Sequence, residues 1–209
     1  MQRMKNIVFS TLWVALAAQF VWILQQHFRL GTSWNHVAYP LVLAIAFAGL
    51  AVARERLRWL APLLRIFIGF AFVSAVGDRF GLLGGPGKPG VSWGNFTNFV
   101  AYTAQVNRFL PVVVIPALAI IESVIEGGLG VAMLLGIKTR LASVGSSALL
   151  WVLGAAMTLS LGIESQFAYA VFVLAAGAGV LATLDTTAAF SLDGLRLRLA
   201  RKRYVAQSA

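Results

Sequence analysis

Glu122 and Glu126 stand four residues apart inside one apolar run, and Arg65 interrupts another. A spacing of four puts both carboxylates on one face of a helix. A guanidinium placed between them can pin two helices together. It can also define a polar site, in which the surplus carboxylate carries a proton or touches a ligand. Helix rise puts Arg65 about 9 Å and Glu126 about 14 Å from the same ends of their spans, a difference an arginine side chain bridges. We therefore expect Arg65 to pair with Glu126 as a structural link, with Glu122 open to either reading. A second group follows the third apolar run. Asp78 and Arg79 end that run, and Trp93, Asn98, Tyr102 and Asn107 follow in the next loop. They are candidates for the mouth of a cavity. The plainer reading of Asp78 and Arg79 is a helix end near the interface, where charge is cheap.

Other chemistries are excluded early. The chain has no cysteine, which removes thiol catalysis, disulfides and iron–sulfur ligation. Its two histidines, His27 and His36, read as loop residues with no ligand role, so neither haem nor a metal centre is expected. The stretch GGPGKPGVSWGNF contains the spacing G-x-G-x-x-G at Gly85, Gly87 and Gly90. That spacing marks dinucleotide loops when it joins a strand to a helix. Here Pro86 and Pro89 remove two backbone donors, and Leu110 and Pro111 stand where the ribose-binding acid belongs. Binding of NAD or FAD is therefore not expected. The stretch reads as a stiff turn that lays the following segment across the bundle's mouth.

The elements that position these residues are membrane helices. Hydrophobic residues make up 59% of the chain and charged residues 11%, far from the usual soluble balance. Six apolar segments approach spanning length: Ile7–Leu24, Val37–Ala53, Leu60–Gly77, Pro111–Leu135, Leu141–Leu161 and Phe167–Leu184. Backbone in lipid must satisfy its own hydrogen bonds, so all six are predicted to be helices. With both termini cytoplasmic, twelve of the Lys and Arg side chains fall inside and four outside. That bias also accounts for the net charge of +10 without nucleic acid. The first helix is read as an uncleaved span, although Ala15-Leu16-Ala17 resembles a signal cleavage site. Ser92 to Leu110 reads as an amphipathic helix, capped by Ser92 and ended by Pro111, with Phe96, Phe99, Val100, Thr103, Val106 and Leu110 on its apolar face. The tail SLDGLRLRLARKR sets Leu192, Leu195 and Leu199 among basic residues and is expected to dock on anionic lipid. The fold class is an all-α polytopic membrane protein of six spans, with an amphipathic helix in the outer loop.

Several strings resemble the DoxX family of small membrane proteins. They are LLRIFIGFAFVSAVGDRFG at 63–81, GPGKPGVSWGNFTNFVAYTAQVNRFLP at 85–111, IESVIEGGLGVAMLLGIKTRLASVGS at 121–146 and AMTLSLGIESQFAYAVF at 156–172. The Arg-x-x-x-Gly of the family matches Arg65 and Gly69, and its second string matches Glu126, Gly127 and Leu134-Leu135-Gly136. The resemblance implies a four-helix core over 60–184. Residues 1–59 then form an added transmembrane hairpin and 185–209 a basic cytoplasmic tail. It implies a bacterial cytoplasmic membrane, contact with quinone and a redox partner protein. Without thiol, metal or flavin ligands, the chain fits a binding or anchoring subunit better than a complete enzyme. The alternatives are a small-molecule permease or lipid-binding protein, which the lack of an evident inverted repeat weakens, and a scaffold for a soluble partner.

Overall fold

The computed structural model describes residues 2–185, 189–196 and 198–199, and the regular structure among them is helical throughout. The first helix, α1 (Gln2–Leu24), runs into a π-helical turn at Gln25–Arg29 and is followed by α2 (Trp34–Val52) and α3 (Leu60–Arg79). A glycine-rich loop leads to α4 (Phe96–Val106). Then come α5 (Ile115–Leu135), α6 (Thr139–Leu161), the single turn α7 (Glu164–Ala168) and α8 (Val171–Leu181). Five segments are long and apolar enough to cross a bilayer: Lys5–Arg29, Trp34–Val52, Leu60–Arg79, Val112–Leu135 and Thr139–Leu161. Val14, Val42, Phe70, Val124 and Val152 are exposed along them, a surface suited to lipid and not to water. The chain is an integral membrane protein.

The expected sixth span is not continuous. Gln166, just ahead of it, is fully buried, Ala170 within it adopts a left-handed backbone, and α8 restarts one residue later. Its 11 residues reach only about 16 Å, short of the hydrocarbon core. What α8 lacks in length it makes up in contact. Ala175, Ala176, Gly177 and Ala178 are all buried, so that α1, α2, α3 and α6 pack around it. Phe47 of α2 fills the space a side chain at Gly177 would need. The hydroxyl of Ser147 on α6 donates to the carbonyl of Ala175 at 2.7 Å.

Four helices close a ring in which α3 meets α5, α5 meets α6, α6 meets α8 and α8 meets α3. The α3–α5 pair is antiparallel and very close. A Cβ on Gly69 would lie 2.8 Å from the backbone nitrogen of Leu134 and 2.9 Å from the carbonyl oxygen of Gly130. Gly130 in turn lies against Phe72 and Val73, and Gly127 against Val76. These contacts set the register between the two helices. Gly69→Leu is expected to force them apart and destabilise the fold by about 1–3 kcal/mol, as overpacking does. A melting curve in detergent checks this, and an unchanged midpoint would show that the helices do not approach this closely.

At the end carrying the N-terminus, the chain after α8 returns to the ring. Arg65, fully buried, donates to the carbonyl of Phe190 at 2.9 Å, and Asp193 is the acid whose charge acts on it. Asp193 also accepts from the backbone N–H of Thr139 at 2.8 Å, capping α6, and donates its own N–H to the carbonyl of Gly136. Desolvation works against the Asp193 carboxylate. Hydrogen bonds from Thr139 and Lys138 outweigh it and hold the group below its ordinary range. Arg65 is therefore a peg for the returning chain. The expected Arg65–Glu126 link does not form, because Gly136 and not Glu126 lies level with Arg65. Arg201, Lys202 and Arg203 of the basic tail fall outside the described residues.

Candidate functional site

The site forms at the opposite end, where α3 finishes against the middle of α5. Arg79 is buried at 2% exposure and Asp78 at 4%, so neither sits at a cheap interfacial position. The reason is the segment that follows. Asp78 accepts three backbone N–H groups, from Ser92 at 2.8 Å, Trp93 at 3.1 Å and Gly94 at 3.2 Å. This carboxylate folds the loop back over the end of α3. Gly94 has a positive φ and packs on the backbone of Pro86, a fit that leaves no room for a Cβ. The glycine-rich stretch is thus the frame that brings α4 over Arg79.

The helix α4 is shorter than expected and starts with a different cap. The backbone N–H of Ser92 is held by Asp78, four residues ahead of the helix start at Phe96, and Asn95 takes the capping role by accepting from the N–H of Asn98 at 2.8 Å. The helix ends at Val106, ahead of Pro111. Phe99, Thr103 and Val106 form its buried face, three of the six residues expected on the apolar stripe. Ser160 of α6 donates its hydroxyl to the Val106 carbonyl and ties the far end of α4 down.

Beneath this cover, Arg79 meets α5. Its Nη1 donates to the hydroxyl of Ser123 at 3.0 Å. Its Nη2 donates to Glu122 at 3.3 Å and, more closely, to Glu126. The Ser123 hydroxyl in turn donates a hydrogen bond to the Ala119 carbonyl at 2.8 Å. The guanidinium carbon lies 3.8 Å from the centroid of the Phe99 ring and 5.4 Å from that of Trp93. Both are cation–π distances, strengthened by desolvation. One cation thus serves two carboxylates, and a single proton on the pair makes the cluster neutral. Arg79 Nε is buried and has no hydrogen-bond partner among the described residues. A buried donor of this kind is costly unless an acceptor is brought to it.

Glu122 is the more accessible carboxylate, with 14% of its side chain exposed against 7% for Glu126. Tyr102 of α4 is near enough to feel its charge. Burial first, then the nearby Tyr169 and Glu122, push the Tyr102 phenol above its ordinary value, so it stays protonated as a donor. The Tyr102 ring lies 5.6 Å from Trp93.

Of the residues expected at the site, Glu122, Glu126, Arg79, Trp93 and Tyr102 come together, and Asp78 holds the loop that covers them. Arg65 belongs to the other end of α3. Asn98 is exposed and donates to the Trp93 carbonyl, while Asn107 donates to the Thr103 carbonyl, so both serve local turns. Sequence reasoning missed Ser123, Phe99 and Tyr169 as site residues. Ser123 stands between the two glutamates, and Phe99 lies on the apolar stripe of α4, which is the signal that could have found them. Tyr169 carries no such mark. Comparison with known protein families, with curated proteins and with solved structures returns no match, so the site is read on its own geometry.

Proposed function

We propose that this chain is a DoxX-like, non-autonomous subunit of a bacterial cytoplasmic membrane redox system, with both termini cytoplasmic, and that it holds a quinone or quinol at the Arg79–Glu122–Glu126 cluster. The observation that carries this reading is the buried, unmet Nε–H of Arg79 beside two carboxylates that share one cation. A quinone offers carbonyl acceptors to such a donor. A quinol offers hydroxyl protons to a carboxylate, and Glu122 stands where one proton can be taken. Trp93 and Tyr102 supply flat surfaces against which a quinone ring stacks. Quinol oxidation releases two electrons, and in this reading those pass to the partner protein.

The test is a titration of the purified chain with a short-chain ubiquinone analogue. Its melting temperature is expected to rise with analogue concentration, as for any ligand that binds only the folded state. Glu122→Gln keeps the side-chain shape and is expected to weaken the effect about 10-fold, the loss of one charge-assisted hydrogen bond. Arg65→Lys, at the far end of α3, is expected to leave the ligand effect intact. No bound quinone in lipid extracts, together with no shift on titration, would remove quinone from the proposal and leave the permease and scaffold readings.

A further inference from the structure

At the end of the bundle away from that cluster, a cavity of about 580 Å³ opens between the start of α1, the α2–α3 turn and the end of α8. Three cations line it, Lys5, Arg54 and Arg58, together with two acids, Glu55 and Asp185. Phe9 provides an apolar part of the wall, and the Arg54 guanidinium lies over its ring at 5.9 Å. Among the described residues the ion pairs are those of Arg79, so none of these five charges is neutralised by direct contact. Like and unlike charges share one water-accessible space with a positive excess of one.

The position of the cavity specifies its ligand. It lies where α2 ends at Val52, α3 begins at Leu60 and α8 ends at Leu181. Trp59, half exposed, stands at the start of α3. Tryptophan and arginine at helix ends mark the headgroup layer of a bilayer. A phosphate at this depth gains from each nearby basic side chain, while an apolar wall beside it suits glycerol and the first acyl carbons. We propose that this cavity binds the phosphate of an anionic phospholipid headgroup through Lys5, Arg54 and Arg58. The proposal rests on the membrane-spanning fold and is independent of the quinone reading.

The test uses the full chain in a neutral maltoside detergent, with melting temperature as the readout. The probes are dioctanoyl phosphatidylglycerol, dioctanoylglycerol and inorganic phosphate. The phospholipid is expected to raise the melting temperature saturably. Dioctanoylglycerol, with the same chains and no phosphate, is expected to have no such effect. Arg54→Gln with Arg58→Gln should raise the half-saturating concentration about 30-fold, the loss of two headgroup-level cations. Lys5→Gln alone should raise it about 5-fold, and this measurement stands if the double variant does not fold. Arg56→Gln, on the same turn but outside the cavity lining, should leave it unchanged. Equal stabilisation by dioctanoylglycerol would overturn the site. So would equal weakening by Arg56→Gln, which would indicate diffuse surface charge. Inorganic phosphate acting as well as the phospholipid would overturn the lipid assignment in favour of a soluble phosphate.

Discussion

Replacing Arg79 with methionine is expected to destabilise the protein by about 3–5 kcal/mol, the usual consequence of stripping the partner from a buried charge pair. The cost arises because Glu122 and Glu126 stay buried while the one cation between them is gone. They must then take up protons, or water must enter the α3–α5 seam. Methionine keeps much of the apolar contact with Phe99, so the loss is electrostatic more than steric. Adding Glu122→Gln and Glu126→Gln to the same variant removes the stranded charges and is expected to restore most of the melting temperature. Neutral replacements of buried ion clusters are often tolerated where half-broken ones are not. The comparison between single and triple variants is the decisive measurement. If Arg79→Met melts with the parent protein, or the triple variant is no better than the single, the carboxylates are not held by Arg79.

The second large effect is expected at Asp78. Its carboxylate accepts three backbone N–H groups from consecutive residues of the covering loop. Hydrogen bonds to a charged group contribute about 1.5–3 kcal/mol each, but the three share one group and water replaces part of what is lost. Asp78→Ala is therefore expected to cost about 2–4 kcal/mol locally. The consequence is specific in place. Amide exchange should rise by about 30-fold or more across residues 92–106, while amides in the middle of α5 and α6 keep their protection. Because α4 covers Arg79, the same variant should also admit an acceptor to the unmet Nε–H more readily. Unchanged exchange over 92–106 would show that Asp78 is not the latch of this loop.

The membrane class, the spans α1, α2, α3, α5 and α6 and the amphipathic character of α4 could all be read from the sequence. Each depends on local composition and on periods of a few residues, which need no knowledge of distant contacts. The excess of basic side chains at one set of helix ends, and the lack of cysteine, are of the same kind. The break in the last apolar run was not legible there, since an alanine carries no signal for a left-handed turn.

Only the tertiary structure decided which arginine meets the glutamates. Counting depth from helix ends assumes that neighbouring helices end level. In this bundle they do not. The contacts of Gly69 with Gly130 and Leu134, and of Gly127 with Val76, shift α5 along α3 toward the Arg79 end. Arg65 then faces Gly136 and the returning chain at Phe190, and Arg79 faces Glu122 and Glu126. Burial of Arg79 likewise depends on a loop folding back onto Asp78, a contact across 14 to 16 residues of sequence. The sequence determined that one arginine, two carboxylates and an aromatic helix are available within a membrane. The register of two helices at van der Waals contact determined which arginine it is, because a slip of one turn moves a side chain by about 5.4 Å.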